Sequence, residues 1–263
     1  MSKISALIVA HNEEEKIEEC LKSLVFVDEI IVVLDKCTDF TKDIAQAFTK
    51  NTIEGEWLVE GVRRNIGLEA CSNEWILEID ADERVSKELA NEMIDAVKSN
   101  KFDSYIVKMD NYIGERLVKF GWLRTMGVLD KRIFFKKGLK KYKQDKQIHP
   151  DFNMSGSVSK LKNKLTHKMD SNISGLINRF NRNTSWRATD IIENSVSFDR
   201  STFKEIIDIK LRFFKSFISK KGYKEGVLGL FIGILCALYP FTARLKAREL
   251  RKKLNKSKQE QKS

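Results

Sequence analysis

The chain has 263 residues, of which 42% are hydrophobic and 10% aromatic, so it can form a folded core and is not an intrinsically disordered protein. Its formal net charge is +11, but residues 210–263 carry 15 Lys/Arg against 3 Asp/Glu, a local net charge of +12. Residues 1–209 therefore have a net charge of about −1 by difference, which argues against nucleic acid as a partner and favours an anionic membrane beside the basic segment.

The cysteines and the N-terminal sequence indicate the compartment. The four cysteines, Cys20, Cys37, Cys71 and Cys236, have neither the spacing of a zinc site nor a CxxC pair, so we expect reduced thiols. The first residues lack the charged and apolar regions of a signal peptide. Both features favour a cytoplasmic protein.

Strands and helices are predicted to alternate over the first hundred residues. Short apolar runs at 4–10, 29–34 and 75–79 are typical of parallel strands that are buried on both faces. Between them, residues 17–24 and 38–48 have helical spacing. This order predicts a doubly wound α/β domain.

Polar residues follow each predicted strand. His11 and Asn12 follow the first strand, Asp35 ends the second, and Asp80 and Asp82 follow the third. Ligands of such folds bind at the carboxyl ends of the strands. Two carboxylates behind a buried strand are costly unless water or a cation neutralises them, and their hard oxygen atoms suit Mg²⁺ or Mn²⁺. By itself such a pair is a weak signal, because a solvated or capping role is more common.

The second half of the chain has a different pattern. Strands are predicted at 105–109 and 132–135, and helices from residue 173 onward. The segment 131–146 carries eight Lys/Arg. It is interpreted either as a solvated face or as a surface that meets a phosphorylated acceptor or the membrane, and the second option would make activity sensitive to salt.

The C-terminal region has the features of a membrane-associated segment. Residues 203–218 form an amphipathic pattern, and 227–241 is a run of 15 uncharged residues, shorter than the roughly 20 that cross a bilayer. Pro240 also argues against a straight spanning helix. We interpret both segments as lying in the membrane interface, with a buried core helix and a true span as alternatives. Residues 251–263 are expected to form a basic, disordered tail.

Four segments, in this order and spacing, resemble family 2 glycosyltransferases with the GT-A fold. They are residues 6–14 (ALIVAHNEE), 32–39 (VVLDKCTD), 61–67 (GVRRNIG) and 75–83 (WILEIDADE). Within that family the chain is similar to bacterial enzymes that add sugars to the inner core of lipopolysaccharide or lipooligosaccharide. The similarity is specific over about residues 1–90 and looser to about residue 190.

The resemblance implies a fold class and domain boundaries. The expected fold is α/β, a GT-A-like doubly wound mixed sheet flanked by helices, with a C-terminal helical extension that associates with the membrane. The GT-A domain would cover residues 1–190, with a nucleotide-sugar-binding half at 1–100 and an acceptor half at 101–190. The membrane-association region would follow at 191–250, before the tail at 251–263.

The resemblance also implies a nucleotide pocket at the end of the first two strands. Ala10, His11, Asn12 and Glu13 would line this pocket, and Asp35 would contact uracil or another base. Two structural alternatives stay open: Asp35 ends a strand or caps the following helix, and Glu13 belongs to the acidic first turn of a helix.

Donor and metal contacts are implied farther along the chain. Arg64 and Asn65 would lie near the donor, which is expected to be a UDP-linked sugar, although Arg64 is also compatible with a solvated surface charge. Asp80 and Ala81 would contact the ribose or the sugar. Asp82, together with Asp80, would bind a divalent metal, Mg²⁺ or Mn²⁺.

The base that an inverting transfer needs is harder to assign. Related enzymes often have an Asp or Glu directly after a His, but here Pro150 follows His149. Asp151 is the first choice for the base and Asp145 the second, whereas His149 would be a third catalytic candidate or a metal or phosphate ligand. His167 is compatible with the same ligand role or with a satisfied buried histidine.

We therefore predict a metal-dependent, inverting glycosyltransferase on the inner face of the cytoplasmic membrane. It would transfer a sugar from a nucleotide-sugar to a lipid-linked saccharide, the lipopolysaccharide core, with no nucleic acid as partner. One alternative is a nucleotidyltransferase that makes a sugar nucleotide, although residues 11–15 (HNEEE) stand where such enzymes have a glycine-rich phosphate loop. Another is a non-catalytic basic protein that binds a membrane or nucleic acid.

Overall fold

Parallel strands form the N-terminal half of the sheet in this computed structural model, which describes residues 2–144, 150–193 and 201–260. They are β1 (Ile4–Ala10), β2 (Glu29–Asp35), β3 (Thr52–Gly55) and β4 (Trp75–Glu78), in the order β3-β2-β1-β4. Strands β1 and β4 are almost entirely buried because their side chains are apolar on both faces. The three predicted strands are confirmed. Strand β3 was not predicted, because its TIEG sequence is short and polar.

The rest of the sheet is largely antiparallel. Its strands are β5 (Glu83–Arg84), β6 (Ser104–Ile113), β7 (Arg116–Val118), β8 (Asp130–Lys136) and β11 (Val158–Asp170). Strand β8 pairs antiparallel with both β4 and β6, β11 pairs with β5, and β7 pairs with the end of β6. A separate hairpin consists of β9 (Lys140–Tyr142) and β10 (Phe152–Met154).

Four helices belong to this part of the chain: α1 (Ile17–Lys22), α2 (Thr41–Phe48), α3 (Glu60–Ala70) and α4 (Lys87–Ser99). Helix α3 lies close against the sheet because Gly67 has no side chain, and a Cβ there would collide with Leu7 and Val33. Helix α4 begins at Ser86, whose hydroxyl accepts a hydrogen bond from Leu89 N at 3.2 Å. These contacts fix the helices that follow β3 and precede β6.

The chain divides into two compact units, Met1–Asp110 with Asp130–Lys168, and Asn111–Leu129 with Met169–Ser263. This division differs from the expected boundary at residue 190. The reason is that residues 111–129 place Trp122 and its apolar neighbours in a core shared with Leu176 and Ile232 of the C-terminal helices.

The second unit is mainly helical. It contains α5 (Ile173–Glu193), α6 (Thr202–Phe214), a π-helical turn (Lys215–Ser219), a 3-10 turn (Gly222–Glu225) and α7 (Gly226–Glu260). The helical segment Gly222–Ser257 is long and apolar enough to cross a membrane, with a mean hydropathy of 2.0 in its most apolar window, of which 39% is buried by the protein.

Helix α7 includes Pro240 and extends to the end of the described residues. It therefore covers residues 251–260, a part of the tail that was expected to be disordered. The physical reason is that this segment consists mainly of Lys, Arg, Leu, Gln and Glu, strong helix formers that extend a helix whose nucleus already exists.

Candidate functional site

The loops after β1 and β2 are joined by hydrogen bonds. His11 Nδ1 lies 2.6 Å from the carbonyl oxygen of Asp35. Asn12 has a φ of +53°, a left-handed conformation that asparagine tolerates better than most residues, and its Oδ1 accepts a bond from Thr38 N at 2.8 Å. Glu13 N donates to Thr41 Oγ1 at 2.7 Å. The predicted pocket residues therefore form one connected edge at the carboxyl ends of β1 and β2.

Asp35 lies beneath this edge. Its carboxylate is buried, with Oδ1 accepting a bond from Trp57 N at 3.0 Å and Oδ2 paired with Arg63. Ala10 is also buried, at the end of β1, and its carbonyl oxygen faces Cys37 Sγ at 3.6 Å. Both carboxylate oxygens of Asp35 thus have protein partners. This arrangement agrees with the alternative interpretation, in which Asp35 ends strand β2 and has a structural role. The contact of Asp35 with a base stays a prediction.

Asp80 is held by two cations. Lys131 Nζ bridges Asp80 Oδ2 and Glu83 Oε1, and Arg64 lies 3.6 Å from Asp80 Oδ1. The backbone N–H of Asp80 donates to the second oxygen of Glu83 at 2.9 Å. Ala81, which lies between Asp80 and Asp82 in the sequence, is buried. The turn after β4 is therefore built around Lys131, which crosses from β8.

Arg64 extends the network away from Asp80. Its guanidinium donates to Glu60 Oε1 and to Glu78 Oε1, both at 2.7 Å. Glu78 is fully enclosed and also receives Lys140 Nζ at 2.5 Å and the Tyr142 hydroxyl at 2.7 Å. Positive and negative side chains thus alternate through the interior, so the interpretation of Arg64 as a solvated charge is wrong.

This alternation sets the charge state of the site. Burial alone would raise the pKa of Asp80, but Lys131 and Arg64 outweigh burial and hold that pKa well below its usual range. Burial is likewise outweighed at Glu78, where Lys140 and Arg64 lower the pKa to about 2. At Glu83, burial raises the pKa, and the charge of Asp80 adds to the effect. Asp80 and Glu78 are therefore ionised at neutral pH.

A second cluster shares Glu83 with this network. One ligand atom each from Asp82, Glu83 and His167 lies within 4.8 Å of the others, and His167 Nε2 is 3.3 Å from Asp82 Oδ2. The register of β11 against β5 places His167 opposite Glu83, which explains how residues so far apart in sequence meet. The predicted ligand Asp82 thus has a histidine partner suited to a divalent cation.

Asp80 was also expected to bind the metal, and the structure does not group it with Asp82 and His167. Its carboxylate is already neutralised by Lys131 and Arg64. Asp82, Glu83 and His167 are the described side chains that lie close enough together to hold a divalent cation.

Asn65 has a structural role in the described residues. Its buried side chain donates to the Tyr142 carbonyl and accepts from the Tyr142 N–H, both at 2.9 Å. These bonds dock β9 onto α3. The position of Asn65 near the donor stays a prediction.

The predicted base, Asp151, lies in the hairpin that Asn65 anchors. It is exposed, directly precedes β10, and its carbonyl oxygen accepts a bond from Lys143 N at 2.8 Å. Gly61 of α3 lets this hairpin approach, since a Cβ there would collide with the Lys143 carbonyl. The other two catalytic candidates, Asp145 and His149, lie outside the described residues.

The buried members of the network were not predicted, and two lysines of the basic stretch have another role than expected, whereas Lys137, Lys141 and Lys143 are exposed. Lys131 and Lys140 were assigned to a solvated face or an acceptor surface, but both are paired with interior carboxylates. Lys136 pairs with Asp103 at 3.0 Å. One signal was available: Glu78 is the single charged residue in the apolar run WILEI, and a buried charge requires a partner.

Together, fold and site define an α/β protein with an acidic, metal-compatible site at the carboxyl ends of its parallel strands. The family model described as "Glycosyl transferase family 2" matches residues 5–165, and the chain belongs to that family. The protein is therefore an enzyme, a glycosyltransferase. The predicted family, enzyme class and GT-A fold class are confirmed.

Relatives with known names agree with this assignment. A glycosyltransferase of Rickettsia typhi, described as uncharacterized, is 28% identical over 95% of this chain and 88% of its own. The lipopolysaccharide core biosynthesis glycosyltransferase LpsC of Rhizobium meliloti is 24% identical, over 59% of this chain and 58% of its own. Among solved structures, Staphylococcus aureus TarS matches with a TM-score of 0.49 and 20% identity, over 86% of this chain and 46% of that one.

Proposed function

We propose that this glycosyltransferase is metal-dependent and inverting, and that it moves a sugar from a UDP-linked donor to a lipid-linked saccharide. The observation that carries the proposal is the acidic cluster of Asp82, Glu83 and His167, in which one ligand atom of each lies within 4.8 Å of the others. A nucleoside diphosphate would be repelled by this cluster unless a cation accompanied it. The site therefore suits a donor that arrives with a divalent metal.

The proposed metal is Mg²⁺ or Mn²⁺, with Asp82 and His167 holding the ion and Glu83 adjacent to it. The carboxylate oxygens suit both ions, and the imidazole of His167 favours Mn²⁺ over the harder Mg²⁺. When bound, the metal would stabilise the negative charge of the departing diphosphate. Asp80 would face the ribose or the sugar, held in place by Lys131 and Arg64. Its low pKa keeps it ionised, so it would accept hydrogen bonds from donor hydroxyl groups.

The acceptor is proposed from a relative and from the C-terminal unit. The name of LpsC refers to the lipopolysaccharide core, and saccharides of that kind are attached to lipid. The exposed apolar and basic residues of α6 and α7 would suit an enzyme that works at the inner face of the cytoplasmic membrane. The domain roles follow: a donor half at 1–100, an acceptor half at 101–190 and a membrane-association region at 191–250.

A donor screen tests the proposal. We expect thermal unfolding with Mn²⁺ to shift upward with a UDP-sugar, since a ligand at about 100 times its Kd stabilises the folded state by roughly 2.7 kcal/mol, several degrees for a chain of this size. Chelation of the metal should remove the shift. The absence of a shift with every nucleotide-sugar would contradict the proposal, and pyrophosphate release from a nucleoside triphosphate and a sugar phosphate would favour the nucleotidyltransferase alternative.

Asp151 is the proposed base that takes the proton from the acceptor hydroxyl. We expect Asp151→Asn to lower kcat by about 10²–10⁴-fold, the usual contribution of general base catalysis, while the affinity for the donor stays unchanged. Glu56→Gln, which alters an exposed carboxylate in another loop, serves as the control and should keep normal turnover. Normal kcat in Asp151→Asn would remove Asp151 from this role.

A further inference from the structure

Helix α6 directs two charged side chains, Glu205 and Arg212, toward the protein, whereas several of its large apolar side chains face solvent. Glu205 is buried and accepts a bond from Arg244 Nε at 2.8 Å, and Arg212 Nε donates to the Cys236 carbonyl at 3.0 Å. By contrast, Phe203 is 72% exposed and Leu211 is 62% exposed. A helix on the surface of a water-soluble protein has the opposite arrangement, so this face is built to contact an apolar phase.

Helix α7 carries a matching exposed stripe. Val227, Leu230, Ile234 and Leu245 are exposed at spacings of three, four and eleven residues, which keeps them on one side of a helix. The opposite side is buried, because Ala243 packs in a core with Ala188 of α5. The stripe is therefore the exposed side of a helix whose other side packs against the protein.

Both stripes lie on the same side of the helix pair. The helices are antiparallel, because Glu205 early in α6 pairs with Arg244 late in α7, whereas Phe213 late in α6 contacts Gly233 in the first half of α7. The residues just named form the contact line of each helix with the other. Going around the helix axis in the direction in which the chain winds, at about 100° per residue, the exposed stripe of each helix lies roughly 100–130° past this contact line. Because the two helices run in opposite directions, these two rotations bring both stripes to the same side of the pair.

We define the insertion face as ten exposed aliphatic and phenylalanine residues on this side of the hairpin. Its members are Phe203, Ile206, Ile207, Leu211, Phe214, Ile218, Val227, Leu230, Ile234 and Leu245. Within residues 201–225, all of which the structure describes, six lysines are exposed: Lys204, Lys210, Lys215, Lys220, Lys221 and Lys224. The acidic residues Glu205 and Glu225 are buried and Asp208 is half-buried. The charge around the insertion face is therefore positive.

We propose that the insertion face docks into one leaflet of an anionic bilayer without crossing it. Apolar side chains would enter the acyl boundary and the surrounding lysines would meet anionic headgroups. The far side of α7 is committed to protein contacts, since Lys246 Nζ donates to Thr184 Oγ1 at 2.9 Å and to Asn181 Oδ1 at 2.6 Å. A second copy of this chain is a poorer occupant, because it would bring the same lysines together.

Flotation of the full-length protein with vesicles tests the proposal. We expect binding to equimolar phosphatidylglycerol and phosphatidylcholine, and little binding to phosphatidylcholine alone. The triple change Phe203→Ser, Leu211→Ser and Phe214→Ser should weaken binding by at least about 100-fold, given the apolar area withdrawn from lipid. The matched control, Val25→Ser with Leu58→Ser, alters residues that are 87% and 80% exposed in the other unit and should bind normally.

The charge contribution is tested separately. Changing Lys204, Lys210 and Lys215 to Gln should lower the preference for phosphatidylglycerol by about fivefold per lysine. Equal vesicle binding by the wild type and the triple serine variant would overturn the proposal. So would a stable dimer without lipid that the serine changes dissociate, because it would show that a second copy covers the face.

The depth to which α7 enters the membrane is measured in spheroplasts. A Ser257→Cys variant should react with a membrane-impermeant maleimide only after lysis, and labelling before lysis would show that α7 crosses the membrane and overturn the one-leaflet arrangement. The inference rests on the proposed function only for the location of the acceptor. Vesicle binding requires no sugar donor and donor binding requires no vesicle, so each can fail without the other.

Discussion

Replacing Asp82 with alanine is expected to lower kcat by about 10³-fold while the protein stays folded. In the proposed site Asp82 would supply one oxygen ligand beside His167. A bound metal would contribute several kcal/mol of charge stabilisation, of which about 4 kcal/mol corresponds to that loss in rate. Its side chain is 17% exposed at the edge of the turn, so its removal leaves no large cavity. Turnover of a nucleotide-sugar with Mn²⁺ is the measurement, beside the unfolding temperature.

Asp95→Ala is the matched control for this change. Asp95 is a carboxylate in α4 with a 75% exposed side chain, and its removal should affect neither turnover nor stability. Near-normal turnover by Asp82→Ala that still requires metal would show that other residues hold the ion. Loss of turnover together with a large fall in unfolding temperature would instead assign Asp82 a structural role through its contact with His167.

The donor side of the site was accessible from sequence because it depends on local features. Apolar runs mark β1, β2 and β4, and the residues that follow them must meet at one sheet edge, since parallel neighbours have their carboxyl ends together. On this basis His11, Asp35 and Asp80 were predicted to share one edge, and the contact of His11 Nδ1 with the Asp35 carbonyl oxygen agrees with that prediction for the first two. It needed no knowledge of side-chain direction.

The network of buried charges around Asp80 and Glu78 could not be predicted from local sequence features. Lys131 reaches Asp80 because β8 pairs antiparallel with β4, a long-range pairing that local patterns do not specify. In sequence, Lys131 is one of eight basic residues in a short stretch, and nothing local separates it from the exposed ones. Asn65 has the same difficulty, because an amide that binds donor and an amide that holds a strand look identical in sequence.

The same network leads to the prediction for Lys131. Lys131→Met should destabilise the protein by about 3–5 kcal/mol at neutral pH, because it leaves two neighbouring carboxylates without their shared cation. Glu83 is completely buried, whereas the side chain of Asp80 is 35% exposed, so water lessens the penalty at Asp80 and the lower end of the range is expected. Urea unfolding measures the change. Lys108→Met, at an exposed position of the neighbouring strand β6, should stay within about 0.5 kcal/mol of wild type.

The pH dependence of this loss separates electrostatics from packing. In the wild type Lys131 helps to hold the pKa of Asp80 below its unfolded value of about 3.9, so this interaction stabilises the fold above that pH and is lost as pH falls. Without Lys131, the pKa of Glu83 would rise further and the pKa of Asp80, still lowered by Arg64, would be lowered less. The folded variant would therefore bind more protons than the folded wild type as pH falls, and it would regain stability relative to the wild type. The difference between variant and wild type should therefore be largest near pH 7 and shrink toward pH 4. A difference independent of pH would mean that Lys131 stabilises the turn by packing, and the alternating charges would then not be what holds Asp80 in position.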